Sequence, residues 1–223
     1  MSYIVYGGAV SPFVRKVRIA LAEKNLDYTL EQVNPFNPPP EFLAISPLKR
    51  IPVLRDTDHA EPNTLPDSSI IIDYLEHKHP TPALYPADPF ERARALWFEE
   101  YADSVLAQNI GRGLFFERFV KRMMRGQPDE SVCSKTLTDV LPPLFAHLEG
   151  EIGDRQFLAG GAFSIADLSV GSMLVNFAHC GEAVDAAKYP KLAAYTARIH
   201  ARPSFKALID EETPMVRGVM KAA

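Results

Sequence analysis

The stretch VYGGAVSPFVRKVRIAL, residues 5–21, holds the pattern from which the fold can be worked out. Val5 and Tyr6 close a β-branched and aromatic run, Tyr3–Tyr6, that reads as a strand stopped by Gly7-Gly8. Ser11 then has the features of a helix N-cap, because its side-chain oxygen can accept from N–H groups of the first turn. Pro12 suits the first helical position, where a missing N–H costs nothing. Phe13, Val17, Ala20 and Leu21 recur at helical spacing, with Arg15, Lys16 and Arg18 off that stripe. A hydroxyl that caps a helix still has its own proton to donate, so a chemical role for Ser11 is compatible with capping.

Outward from this stretch, the helix runs to about Lys24-Asn25, and YTLEQVN (28–34) alternates as a second strand. Strand, helix, strand is a βαβ start. The Pro-rich segment NPFNPPPEFLAISPLKR (34–50) reads as a loop. IPVLRD (51–56) and NTL (63–65) flank a polar turn and read as a hairpin. DSSIIIDYLEHKHP (67–80) reads as a helix with Ile70, Ile71, Tyr74 and Leu75 on one stripe. The first unit is therefore βαβ–ββα. HPTPALYPADP (79–89) carries Pro80, Pro82, Pro86 and Pro89 and has the character of a linker.

Beyond it every pattern is helical. FERARALWFEEYADSVLAQ and LFFERFVKRMM are amphipathic, with Gly111 and Gly113 between them as an expected bend. Pro142-Pro143 should kink or split the helix around KTLTDVLPPLFAHLEGEI. In AGGAFSIADLSV, Ser164 and Asp167 stand at the N-cap and N3 positions of a capping box. The organisation expected is an α/β domain over 1–80, a linker over 81–89 and an all-α domain over 90–223.

Composition narrows the function classes. With 47% hydrophobic residues, the 223-residue chain can bury a full core. A formal net charge of -4 argues against a nucleic-acid partner, since phosphate binding needs a basic surface. No segment approaches the ~18 uninterrupted apolar residues needed to span a bilayer, and MSYIVYGG has no signal-peptide pattern. Cys133 and Cys180 are too few for a disulfide framework, and the six histidines show no ligand spacing, so no metal is expected. A cytoplasmic protein without membrane attachment is the simplest expectation.

Four motifs, in order and spanning nearly the whole chain, resemble those of the cytosolic glutathione S-transferases. SPFVRKVR (11–18) resembles the catalytic loop of the serine- and cysteine-type classes, tau and omega among them. PLKRIPVL (47–54) resembles the segment holding the cis-proline of thioredoxin-like folds, and LPDSSIIIDYLE (65–76) the acid–serine motif, here with Asp for the usual Glu. FSIADLSV (163–170) resembles the capping box of the second domain's central helix.

The resemblance implies a thioredoxin-like first domain binding glutathione as co-substrate, and a helical domain lining a hydrophobic substrate pocket. It implies Ser11 as the catalytic hydroxyl, with Tyr6, at the position of tyrosine-type activators, as the rival candidate. It implies glutathione-binding roles for Phe13, Lys49, Arg50, Ile51, Pro52, Asp67 and Ser68, with Pro52 cis. Arg112, Phe115, Phe116 and Phe119 are the pocket candidates, although an aromatic stripe of that spacing also suits a core. A homodimer and a hydrophobic electrophile complete the implied partners. Ser at position 11, rather than Cys, disfavours mixed-disulfide chemistry, and Val14 stands where a thioredoxin carries its second Cys. Ether cleavage, dehalogenation and a non-catalytic binding role are the alternatives to conjugation.

Overall fold

The computed structural model describes residues 3–221. The chain divides into two compact units, Met1–Leu84 and Tyr85–Ala223, the division falling inside the stretch read as a linker. In the first unit β1 (Tyr3–Tyr6), α1 (Pro12–Glu23) and β2 (Tyr28–Glu31) are followed by α2 (Pro40–Ile45), then β3 (Val53–Asp56), β4 (Thr64–Pro66) and α3 (Ser68–Lys78). The four strands form one mixed sheet in the order β2-β1-β3-β4, with β1 parallel to β2 and antiparallel to β3. This is the thioredoxin-like architecture that the resemblance implies, with the element order βαβ–ββα read from the patterns and one further helix, α2, between its halves.

Three local readings are corrected. The 34–50 segment is not all loop: PEFLAI folds as α2, begun by Pro39-Pro40 and buried through Phe42. Its brevity and flanking prolines hid it from a periodicity argument. Helix α1 is not amphipathic in the expected sense, because Arg15, Lys16 and Arg18 are buried along with the apolar stripe. Their polar ends reach partners inside the first unit: Arg15 to the Val10 carbonyl, Lys16 to Ser69 Oγ at 3.5 Å, and Arg18 Nε to Tyr28 OH at 2.8 Å. Long charged side chains bury their stems while their ends find polar groups. On α3 the buried stripe is Ser68, Ile71, Ile72 and Leu75, and Ile70 is exposed.

The second unit is all helical. Pro89–Glu100, Tyr101–Val120 and Lys121–Met123 run on as one long helix, α4, its middle section hydrogen-bonded in the wider π pattern. The helix is not interrupted at Gly111 or Gly113. A Cβ on Gly113 would lie 2.6 Å from Thr136 Oγ1, so this glycine allows the next helix to pack close. That helix, α5, comprises Glu130–Lys135, Thr136–Val140 and Leu141–Ile152. Pro142 and Pro143 offer no N–H to the ladder. The helix carries on through a π-type turn just ahead of them instead of splitting. Helices α6 (Ile165–His179), α7 (Pro190–His200) and α8 (Pro203–Lys221) complete the unit.

Helix α6 is buried from Ile165 to Phe177 and forms the centre of this unit. Its start is fixed as the sequence indicates: the capping box closes, with Asp167 Oδ2 accepting the Ser164 N–H at 3.0 Å. Asp167 Oδ1 also accepts from Leu158 N at 2.9 Å and Tyr195 OH at 3.1 Å. Burial pushes its carboxyl up to about 6, although four hydrogen bonds to the carboxylate oppose the shift. No helix among the described residues is long and apolar enough to cross a membrane.

Candidate functional site

The sheet register collects the candidate residues of the first unit. Tyr6 pairs with Val53, and Val53 pairs with Pro66, so the three residues lie in one row across β1, β3 and β4. Immediately beyond this row come the Gly7–Ser11 loop, Ile51-Pro52 and Asp67-Ser68. The row ends are packed against each other. A Cβ on Gly7 would lie 2.4 Å from Val14 Cγ2 and 3.3 Å from Ile51 Cβ, so only glycine lets the first loop, α1 and the Ile51 turn approach so closely. Asp67 N–H donates to the Pro52 carbonyl at 3.3 Å, joining the start of α3 to the same turn.

Each group at this edge keeps some bonding capacity. Ser11 is the N-cap of α1, but its oxygen accepts from Val14 N only at 3.5 Å. Its hydroxyl proton has no acceptor among the described residues. The Ile51-Pro52 bond is cis, as expected, and the Ile51 N–H and C=O have no partner among the described residues. Asp67 caps α3 by accepting from Ser69 N at 2.9 Å and Ile70 N at 3.4 Å. It does so with φ 75 and ψ 131, a region that a residue with a Cβ rarely enters. Ser68 follows at the first helical position, 3% exposed. The N-termini of both α1 and α3 thus face this edge, and free N–H groups with the helix dipole favour anions there.

Lys49 and Arg50 stand on the turn just before Ile51, both exposed and without an ionic partner among the described residues. The sequence reading missed what shapes that turn. Ser46 Oγ accepts from Arg50 N at 3.1 Å and donates to Arg50 O at 2.8 Å, which fixes the turn from its base. Its signal was the SPLKR string, in which a serine precedes a tight turn and can bond back to the backbone.

Phe13 lies half-buried in the first turn of α1. Tyr6 packs in a cluster with Val33, Phe42, Ile45, Ile51 and Val53, its ring 6.3 Å from that of Phe42 and under the Arg55 guanidinium. Its neighbours are those of a wall residue on the α2 side of the sheet. In the second unit, Phe115 and Phe119 are buried and stacked with centroids 4.8 Å apart, the packing of a core pair. Of the four pocket candidates, Phe116 and Arg112 keep open surface.

The strongly perturbed groups of the first unit lie at the opposite end of the same strands. Tyr3 pairs with Asp56 there, and Asp56 accepts from Tyr74 OH and Lys78 Nζ. Burial pushes the Asp56 carboxyl up, but these two hydrogen bonds outweigh it and hold it below the usual range. The cluster fastens α3 to β3 and is remote along the strands from the Ser11 edge.

A thioredoxin-like sheet whose cis-proline turn meets two helix N-termini is matched by family models in both halves of the chain. Residues 5–83 match the glutathione S-transferase N-terminal domain, and residues 134–198 match the glutathione S-transferase C-terminal domain. The chain belongs to the glutathione S-transferase family. A probable glutathione S-transferase, parC of Nicotiana tabacum, is 32% identical over 208 residues, covering 90% of this chain and 86% of that protein. The FtsZ-localized protein A of Caulobacter vibrioides is 27% identical over 206 residues, covering 92% and 90%. Among solved structures, a glutathione S-transferase from Methylobacterium radiotolerans in complex with glutathione sulfonate matches with a TM-score of 0.76 and 30% identity over 94% of this chain and 95% of that one. As a transferase-family chain, the protein carries at position 11 a serine, not a cysteine, on the loop from which α1 starts.

Proposed function

We propose that this protein binds glutathione at the Ser11 edge of its sheet and activates the thiol for attack on a hydrophobic electrophile. The observation that carries the reading is the adjacency, at one sheet edge, of an uncommitted Ser11 proton, an unpaired Ile51 backbone and the two helix N-termini. An ordinary thiol has a pKa near about 8.5, and the thiolate is the nucleophile. A hydrogen bond from Ser11, with the α1 N-terminus behind it, stabilises the anion and raises its population at neutral pH. The Ile51 N–H and C=O then pair with the cysteinyl backbone. Ser68 and the start of α3 hold the γ-glutamyl carboxylate, Asp67 meets the γ-glutamyl amine, and Lys49 and Arg50 face the glycyl carboxylate. Phe13 adds apolar contact beside the thiol. In the conjugation step the thiol proton passes to solvent as the thiolate forms, the sulfur bonds to the electrophilic carbon, and the electron pair of the bond broken there leaves with a halide or alkoxide or, for an epoxide or activated alkene, moves onto the neighbouring atom, which takes a proton from solvent.

Expulsion of an alkoxide or a halide from that carbon uses the same thiolate, so ether cleavage and dehalogenation are variants of one mechanism. The protein works in the cytoplasm as a homodimer in this reading. Exposed Ile70 on α3 and exposed Phe90 and Trp97 on α4 supply apolar surface of the kind that association covers. Light scattering at micromolar concentration should give twice the chain mass.

The likeness to an FtsZ-localized protein favours a second reading, a protein-binding role without turnover. Calorimetric titration with reduced glutathione, followed by turnover on a panel of aromatic halides, epoxides and aryl ethers, separates the two. Binding with turnover supports the enzyme. Binding without turnover on any member favours the second reading, and no heat at millimolar glutathione overturns the glutathione site itself.

A further inference from the structure

The second unit holds a cavity of 390 Å³ between the end of α6, the end of α7 and the outer turns of α8, built by residues that the Ser11 edge does not use. Val175, Ile209, Val216 and Met220 give it apolar walls. An imidazole and a guanidinium meet at it from different helices. His179 lines it from the end of α6, and Arg217 lines it from α8. The His179 side chain is 6% exposed and is held in place by Glu212, Nε2 lying 2.9 Å from a carboxylate oxygen that is itself fully buried. The carboxylate accepts a hydrogen bond from Nε2–H. Nδ1 is left without a partner among the described residues. Arg217 is exposed and has no partner among the described residues. A second guanidinium, that of Arg122, approaches the rim, its Nη1 resting 3.6 Å from Met220 Sδ. Glu212, which braces His179, is fully buried behind the lining, and among the described residues that line the cavity Arg217 is the one with a fixed charge.

From this juxtaposition of apolar walls, the Glu212-braced His179 and the unpaired Arg217, we propose a binding site for a small monocarboxylate with a compact apolar body. The volume lies at the lower end of the range for ligand sites, about 300–1,000 Å³, which suits a bicyclic aromatic acid and excludes a nucleotide. Arg217 can take a carboxylate through parallel N–H donors. Glu212 fixes the orientation of the His179 ring, which leaves Nδ1 as a polar atom on the cavity wall for the ligand's carboxyl group or a bridging water. A dianionic phosphate would find too few donors and an apolar wall where its other oxygens need water. The site belongs wholly to the second unit and does not depend on glutathione binding.

The probe is 2-naphthoate, with 2-naphthalenemethanol as its uncharged counterpart, titrated into the full chain by calorimetry. The wild type should bind the acid with a Kd of about 1 mM or tighter. Arg217→Glu removes the guanidinium, and Ala178→Trp fills the mouth from an exposed lining position. Each should weaken binding at least about tenfold, as should replacing the acid by the alcohol, since a hydrogen bond between charged groups is at stake. Both positions are exposed, so thermal melts of the variants should match the wild type and separate loss of binding from loss of fold. Absence of binding by the wild type at about 10 mM overturns the proposal. So does a change smaller than tenfold for either variant or for the alcohol.

Discussion

Lys24 Nζ lies 2.7 Å from Glu76 Oε2 and also donates to the carbonyls of His79 at 2.6 Å and Pro82 at 2.9 Å. One fully buried ammonium thereby ties the end of α1 to α3, satisfies the backbone where α3 stops, and anchors the segment leaving the first unit. Glu76 completes the latch by accepting from Leu84 N at 3.1 Å. All three donor positions of the ammonium are used. Removing one member of a buried pair strands the other, at a typical cost of about 3–5 kcal/mol. Lys24→Met should therefore destabilise the protein by about 3 kcal/mol, measured by urea unfolding. Lys24→Met combined with Glu76→Leu should recover part of that loss. A cost below about 1 kcal/mol, the level of surface pairs, would sink the account.

The latch also marks where sequence reasoning stops. Ser11, Gly7-Gly8, Ile51-Pro52 and Asp67-Ser68 were legible because each is a local signal: a cap, a turn, a proline before a strand. Their convergence follows from strand register, which a βαβ–ββα order constrains strongly. Lys24, Ser46 and the Asp56–Tyr74–Lys78 cluster were not legible, since their partners are distant in the chain or are backbone atoms with no residue identity. The buried cations of α1 failed for a related reason. Periodicity assigns charged residues to solvent, and only the tertiary structure reveals that Tyr28 and Ser69 wait at the ends of Arg18 and Lys16. The role of Gly113 was not legible either, because a glycine in a helical pattern signals either flexibility or close approach, and only the structure brings Thr136 against it.

Asp167 gives a pH signature. Its carboxyl is raised from an ordinary 3.8 to about 6 by burial, so the folded protein binds this proton more tightly than the unfolded chain does. Between those two values, stability contributed by this group must rise as pH falls, and below the lower one it levels off. His79 acts in the opposite sense. Burial first, then the nearby Lys78 and Lys24 charges, holds its imidazole below the ordinary range, so its contribution falls as pH drops through 6.5. The difference between wild type and Asp167→Asn isolates the first effect. The variant's relative stability should improve on going from pH 5 to pH 7, as followed by urea midpoints. A difference that is flat with pH would show that the carboxyl is not raised.

Asp67 holds a backbone conformation that costs a residue with a Cβ of order 1–3 kcal/mol, at a position next to Pro52 and the start of α3. Its cap is worth about 0.5–2 kcal/mol. Glycine removes the strain and loses the cap. Asp67→Gly should therefore leave the melting temperature near the wild-type value, whereas Asp67→Ala, which keeps the strain and loses the cap, should lower it. If Asp67 meets the γ-glutamyl amine, both variants weaken glutathione binding to a similar degree in calorimetry. Unchanged affinity in both would confine Asp67 to capping.

Ser11 carries the sharpest test of the proposed chemistry. Its cap bond to Val14 is long, 3.5 Å, so Ser11→Ala should cost no more than the lower end of the capping range, about 0.5 kcal/mol. The hydrogen bond to a sulfur anion is a larger quantity, about 1.5–3 kcal/mol. Losing it should lower turnover at neutral pH by about one to two powers of ten and raise the pKa of the bound thiol, followed by the ultraviolet absorbance of the thiolate. Raising pH should then restore part of the lost rate in Ser11→Ala, because more thiolate forms without help. A defect that came only from a frayed α1 would not recover with pH. Tyr6→Phe removes the rival hydroxyl while keeping the ring that packs on Phe42, and should change neither the rate nor the thiol pKa. Should Tyr6→Phe abolish activity while Ser11→Ala retains it, the serine is a cap and the tyrosine is the activator.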